Sequence, residues 1–94
     1  MTERSLQEYF KNQAAKVDVF WRKIEWTNRR GCPDVFIAKE GNIALCEIKN
    51  PNKKGRLSKI QKRVISQLRD AGVTVHVIDS REKVDAIIRG LTGA

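Results

Sequence analysis

The sequence predicts an α/β domain in which a mixed β-sheet is flanked by helices, with its elements in the order αβββαβα. Three observations lead there. Residues 31–50 read GCPDVFIAKEGNIALCEIKN, two apolar runs around a Glu-Gly-Asn turn, which is the pattern of a hairpin. Two later stretches repeat apolar residues at helical spacing behind a Ser or Asp cap. Between them lies the β-branched run Val73 to Ile78, a strand that can be reached only by a helical crossover, so the sheet must be mixed.

Taken in order, Thr2 to about Lys16 reads as a helix, because Leu6, Phe10, Gln13 and Ala14 recur on one side. Val19 to Trp26 is rich in aromatic and β-branched residues and reads as the first strand. Thr27 to Pro33 is a basic loop whose Gly31 and Pro33 fit a strand interior poorly. Asp34 to Lys39 and Ile43 to Lys49 are the second and third strands. Asn50 to Arg56 is a polar, basic loop. Ser58 opens a second helix, with Gln61 three residues on in capping-box spacing. Its apolar stripe is Ile60, Val64, Leu68 and Ala71, and Gly72 suits its C-terminal cap. Val73 to Ile78 is the fourth strand, and Asp79 or Ser80 caps a last helix carrying Val84, Ile87, Ile88 and Leu91.

The chain has 94 residues, of which 40% are hydrophobic and 32% charged, a profile for one globular domain spanning residues 1–94 rather than a disordered segment. No apolar run approaches the roughly 20 residues of a membrane span. MTERSLQEYF lacks the apolar stretch of a secretion signal, so an intracellular, cytoplasmic protein is expected. Cys32 and Cys46 lack the close paired spacing of a zinc or redox motif and read as reduced, buried thiols. The formal net charge of +8 points to a polyanionic partner, with nucleic acid ahead of a membrane surface.

The chemistry sits in the hairpin. Side chains alternate along a strand, so Ile43, Leu45, Glu47 and Lys49 share one face and Asn42, Ala44, Cys46 and Ile48 the other. Glu47 and Lys49 then lie roughly 6.5 to 7 Å apart. Asp34 opens the neighbouring strand, and the short turn can carry its carboxylate near Glu47. Two converging carboxylates repel, and a hard divalent cation, Mg²⁺ or Mn²⁺, removes that repulsion. Such a cation polarises a phosphate and lowers the pKa of water, while a nearby Lys holds or deprotonates that water or stabilises charge in the transition state. The plain alternative is a buried Glu47–Lys49 salt bridge.

The run GCPD, the thirteen-position step from Asp34 to Glu47, and EIK resemble the PD-(D/E)XK nuclease superfamily. RRGCPD, CEIKNP and the following LSKIQ narrow the resemblance to the VRR-NUC family, found alone in phage and bacterial proteins and as the nuclease module of larger repair enzymes. The resemblance covers nearly the whole chain. It implies a restriction-endonuclease-like αβββαβ core, here with an added C-terminal helix. It implies Asp34 and Glu47 as metal ligands, with the main-chain carbonyl of Ile48 as a third, Lys49 as the catalytic lysine, and Gln61 as the glutamine of the following helix. A first-helix carboxylate would complete the metal site. Glu3 aligns best, with Glu8 as the alternative.

Arg29, Arg30, Lys53, Lys54, Arg56 and Lys59 flank these positions on two loops and are expected to contact DNA phosphates. Gly31 would let the basic loop approach that backbone closely. Phe10, Phe20 and Phe36 read as core, Trp21 and Trp26 as core or interface, and His76 as a structural or surface residue. The function expected is a Mg²⁺-dependent, structure-selective DNA endonuclease, of Holliday-junction-resolvase type and homodimeric, because one site per subunit cuts one strand. The alternatives are a non-catalytic DNA-binding module, or a flap or nicking nuclease subunit of a larger repair complex.

Overall fold

The computed structural model describes residues 1–53 and 56–93, and the side chain of residue 53 also lies outside the description. The elements are α1 (Glu3–Lys16), β1 (Phe20–Lys23), β2 (Val35–Lys39), β3 (Asn42–Ile48), a short 3₁₀ turn (Pro51–Lys53), α2 (Lys59–Asp70), β4 (Val75–Ile78) and α3 (Arg81–Thr92). The sheet runs β1-β2-β3-β4. β1, β2 and β3 pair antiparallel, and β4 joins β3 in parallel after the α2 crossover. The mixed sheet expected from the sequence is therefore the one that forms.

Strand alternation sorts the apolar residues into two clusters. Leu6, Phe10 and Ala14 of α1 and Val84 of α3 pack on Trp21, Val35, Ile37, Ala44, Cys46, Ile48 and Ile78. The Tyr9 hydroxyl ties the two helices together by donating to Asp85 Oδ1 at 2.7 Å. Burial pushes the Cys46 thiol up to about 12, so it stays a neutral, unreactive hydrophobe. On the other face, α2 lays Ile65 over Leu45 and Val75, with Ile24, Phe36, Leu57, Leu68, Val73 and Val77 around them.

Several boundaries differ from expectation. β1 ends at Lys23 rather than Trp26, because the chain turns away into the basic loop. Trp26 anchors that loop instead, donating its indole N–H to the carbonyl of Pro33 at 2.7 Å. β4 begins at Val75, since Gly72 turns with φ +91 and Val73 still bonds back to Leu68. In α2 the residue most deeply buried is Ile65, while Ala71 is exposed. Ile60, Val64 and Leu68 of the expected stripe are half-buried beside Ile65, and Leu68 packs against the same cluster. Phe20 is a correction: 47% of its surface is exposed, and it sits at the sheet's margin, edge-on against Phe36 and under the Arg22 guanidinium. Among the described residues no helix is long and apolar enough to cross a membrane.

Candidate active site

The hairpin register places the carboxylates. Val35 pairs with Cys46, so one further step along both strands sets Asp34 opposite Glu47. Asp34 precedes β2, but its carbonyl still accepts from Ile24 N–H at 2.7 Å, which holds its backbone to the end of β1. Glu47 is only 7% exposed and is the one buried charged residue of the described chain. Its carboxyl is pushed up to about 7, first by burial and then by the negative charge of Asp34, with Lys49 pulling the other way and Glu3 adding to the rise. A carboxylate held in this state accepts a positive charge readily.

Lys49 follows β3 with its backbone still in the sheet, N–H to the carbonyl of Ile78 at 2.8 Å. Gln61 reaches the same place from α2. Ser58 caps that helix by accepting from Gln61 N–H at 3.1 Å, and Ser58 N–H donates to Gln61 Oε1 at 2.9 Å. With its oxygen engaged in the cap, the Gln61 amide turns its NH₂ toward the site and donates to Glu47 Oε2 at 3.3 Å. One capping box thus both starts a helix and aims a side chain.

The donor chemistry suits a hard divalent cation: two facing carboxylates on adjacent strands, one of them desolvated and raised by the other. Among the described residues, no three Asp, Glu, His or Cys side chains come close enough to form a metal cage by themselves. Two carboxylates therefore leave the remaining positions to main-chain oxygen, such as the Ile48 carbonyl, and to water. Glu3 is near enough to raise Glu47, whereas Glu8 is not among the groups that act on it.

The basic residues divide. Arg29, Arg30, Arg56 and Lys59 are exposed, and none forms an ion pair among the described residues. The side chains of Lys53 and Lys54 lie outside the described residues. Gly31 has φ +81, and a Cβ there would come within 2.5 Å of Ile60 Cγ2. The close approach it permits is to the first turn of α2, which seats the basic loop beside the glutamine that touches Glu47. Lys23 was not singled out by the sequence. Its Nζ lies 3.7 Å from Asp34 Oδ2 and donates to Gln7 Oε1 at 3.3 Å. Only the β1–β2 register brings it there, and no local motif announces it.

Comparison with known proteins places the fold and the family. A solved structure described as "VRR_NUC domain" superposes with a TM-score of 0.83 and 26% sequence identity, covering 95% of this chain and 97% of that one. No curated protein matches. The family model for the VRR-NUC domain matches residues 3–82, most of the chain. The protein belongs to the VRR-NUC family of nuclease domains.

Proposed function

We propose that residues 1–94 form a single-domain, divalent-metal-dependent DNA endonuclease. The observation that carries the reading is Glu47, the one buried charged residue among those described, raised by burial and by the facing Asp34 and held by the Gln61 amide. Burying a carboxylate in this way is costly unless a cation is to meet it.

Asp34 and Glu47 would hold that cation, Mg²⁺ or Mn²⁺, together with the Ile48 carbonyl, and Glu3, which lies near enough to act on Glu47, would have to move inward to join them. Once bound, it supplies Lewis acidity to the scissile phosphate and lowers the pKa of water. The protein does the rest by position. Gln61 orients Glu47. Lys49 sits two residues beyond Glu47 on the same side of the strand, where its ammonium can orient the attacking water and offset charge growing on the phosphate oxygens. Arg29, Arg30, Lys53, Lys54, Arg56 and Lys59 contribute phosphate contacts that are independent of sequence. Contacts of this kind read the shape of DNA rather than its bases, and branched DNA is the substrate they suit. A two-fold homodimer would set two such sites on a four-way junction, as a Holliday-junction resolvase requires. An intracellular phage or bacterial setting accords with this role.

The test is cleavage of labelled duplex, single strand, flap and four-way junction, with and without Mg²⁺ or Mn²⁺, beside Lys49→Ala. Paired, metal-dependent cuts in the junction, reduced about 10³-fold or more in the variant, are expected. Equal cutting of every substrate would remove the junction assignment and leave a nuclease. Binding without cutting in either metal would move the protein to the non-catalytic DNA-binding module.

A further inference from the structure

Beside Asp34, on the side toward α1, the first two turns of that helix and the end of β1 enclose a pocket of about 410 Å³ lined by Glu3, Arg4, Gln7 and Lys23. Its contents are unusual for the surface of a small protein. Lys23 is held at two points, by the Asp34 carboxylate at 3.7 Å and the Gln7 amide oxygen at 3.3 Å. Its charge also reaches Glu47, where it opposes the rise caused by burial and Asp34. Lys23 thus stands as a cation beside the very carboxylates that a divalent ion would take.

We propose that this pocket is a subsite for a backbone phosphate next to the scissile one. Lys23 is a tethered counter-ion that Asp34 holds until a divalent cation displaces it. The inference rests on the nuclease reading above. A doubly charged ion attracts Asp34 more strongly than an exposed ammonium does, because the Coulomb energy scales with charge at similar distance. Lys23 then loses its partner at the moment the metal site fills. Its four-carbon stem keeps it at the pocket, where Arg4 supplies a second cation and Gln7 an amide N–H. Glu3 is the opposing group in this pocket. It lies near enough to act on Glu47 and would be attracted by a cation bound there. The pocket is therefore nearly neutral without metal and net positive with it. Metal and nucleic acid then reinforce each other's binding, and the coupling is reciprocal.

The experiment uses the full chain. Lys23→Met keeps most of the stem and removes the charge. Lys16→Met, at the exposed end of α1, is the control for net charge. Mn²⁺ is titrated by calorimetry against each protein without DNA. Duplex affinity is then measured at several salt concentrations with Mn²⁺ in a Lys49→Met background, which suppresses cutting. Lys23→Met should bind Mn²⁺ roughly 3- to 10-fold more tightly, since a competing charge is gone. It should bind duplex roughly 3- to 10-fold more weakly, with a salt slope lower by about one. Lys23→Arg should recover the DNA affinity. If Lys23→Met behaves as Lys16→Met in both titrations, or binds Mn²⁺ more weakly, the tethered counter-ion is wrong. If the wild type cuts no nucleic acid in any metal, the nuclease reading falls, while the Mn²⁺ titration alone still decides the role of Lys23.

Discussion

On the sheet face covered by α1 and α3, Leu6, Phe10, Val35, Ile37, Cys46 and Val84 are wholly buried. On the opposite face α2 covers only part of the strands. There Phe20 and Ile43 keep 47% and 57% of their surface exposed, and Glu47 is buried beside the Gln61 amide. The first face has two helices locked by apolar interdigitation and by the Tyr9–Asp85 hydrogen bond. The second has one helix, whose capping-box Gln61 also donates to Glu47. The wholly buried apolar residues are concentrated on one side of the sheet, and the one buried charge among the described residues lies on the other. Four short strands can carry a desolvated carboxylate because the face behind it is so well packed.

The sharpest test of that division compares two phenylalanines. Phe10 is fully buried and meets Trp21 edge-on, with ring centroids 6.1 Å apart. Phe10→Ala should lower unfolding free energy by about 3–5 kcal/mol, enough to unfold much of a small domain. Phe20 has a comparable aromatic partner, Phe36 at 5.9 Å, and the Arg22 guanidinium 4.4 Å above its ring. Because half of it already lies in solvent, Phe20→Ala should cost about 1 kcal/mol or less. Denaturant unfolding of the two variants measures both. Equal losses would mean that the second face is as much a core as the first.

Glu47 should show the reverse sign. Its carboxyl is raised from 4.5 to about 7, so the folded state binds its proton more tightly than the unfolded chain does. That contribution is fully present below about pH 4.5 and is lost as pH rises through 7. At pH 8, in chelator, Glu47→Gln should therefore be more stable than the wild type by about 1–3 kcal/mol, with the gap closing toward pH 4.5. Thermal melts at the two pH values decide it. A variant less stable at pH 8 would show that Glu47 supports the fold rather than straining it.

The same division explains what the sequence could reveal. The packed face is legible because burial there obeys periods of two and 3.6, so helix, hairpin and crossover could all be placed. The hairpin that can bring Asp34 near Glu47 is legible too, although its exact register is set only when the strands pair. The Ser58–Gln61 capping box needs only local spacing and was readable too. Lys23 and Phe20 were not. The contact of Lys23 with Asp34 depends on how β1 pairs across an eleven-residue gap, Ile24 to Asp34, and aromatic composition alone cannot tell that Phe20 sits at the sheet's margin. Gly31 was readable as a needed glycine, but its neighbour Ile60 lies on a helix reached only through the folded chain.

The smallest effect concerns His76, on the outer strand β4. It is half-buried, its register partner on β3 is Cys46, and it lines a groove with Arg69 of α2 and Lys83 of α3. Burial lowers its pKa below 6.5, and the Arg69 charge lowers it further. The Arg69 guanidinium cannot withdraw readily, because it donates to the free edge carbonyl of Val75 at 2.8 Å and so blunts that edge of the sheet. With its pKa depressed, His76 favours the fold in its neutral form. The stability it permits is complete above about pH 6.5 and falls as acid protonates the unfolded chain in preference to the folded one. His76→Gln should thus flatten the decline of melting temperature just below pH 6.5, by less than the Glu47 substitution changes stability at pH 8. It should leave any cleavage alone, since His76 pairs with Cys46 and so lies on the sheet face opposite Glu47. Arg69→Gln should weaken the slope when His76 is present and change nothing further when it is added to His76→Gln. If Arg69→Gln steepened it instead, the guanidinium would be holding His76 in place rather than repelling its proton.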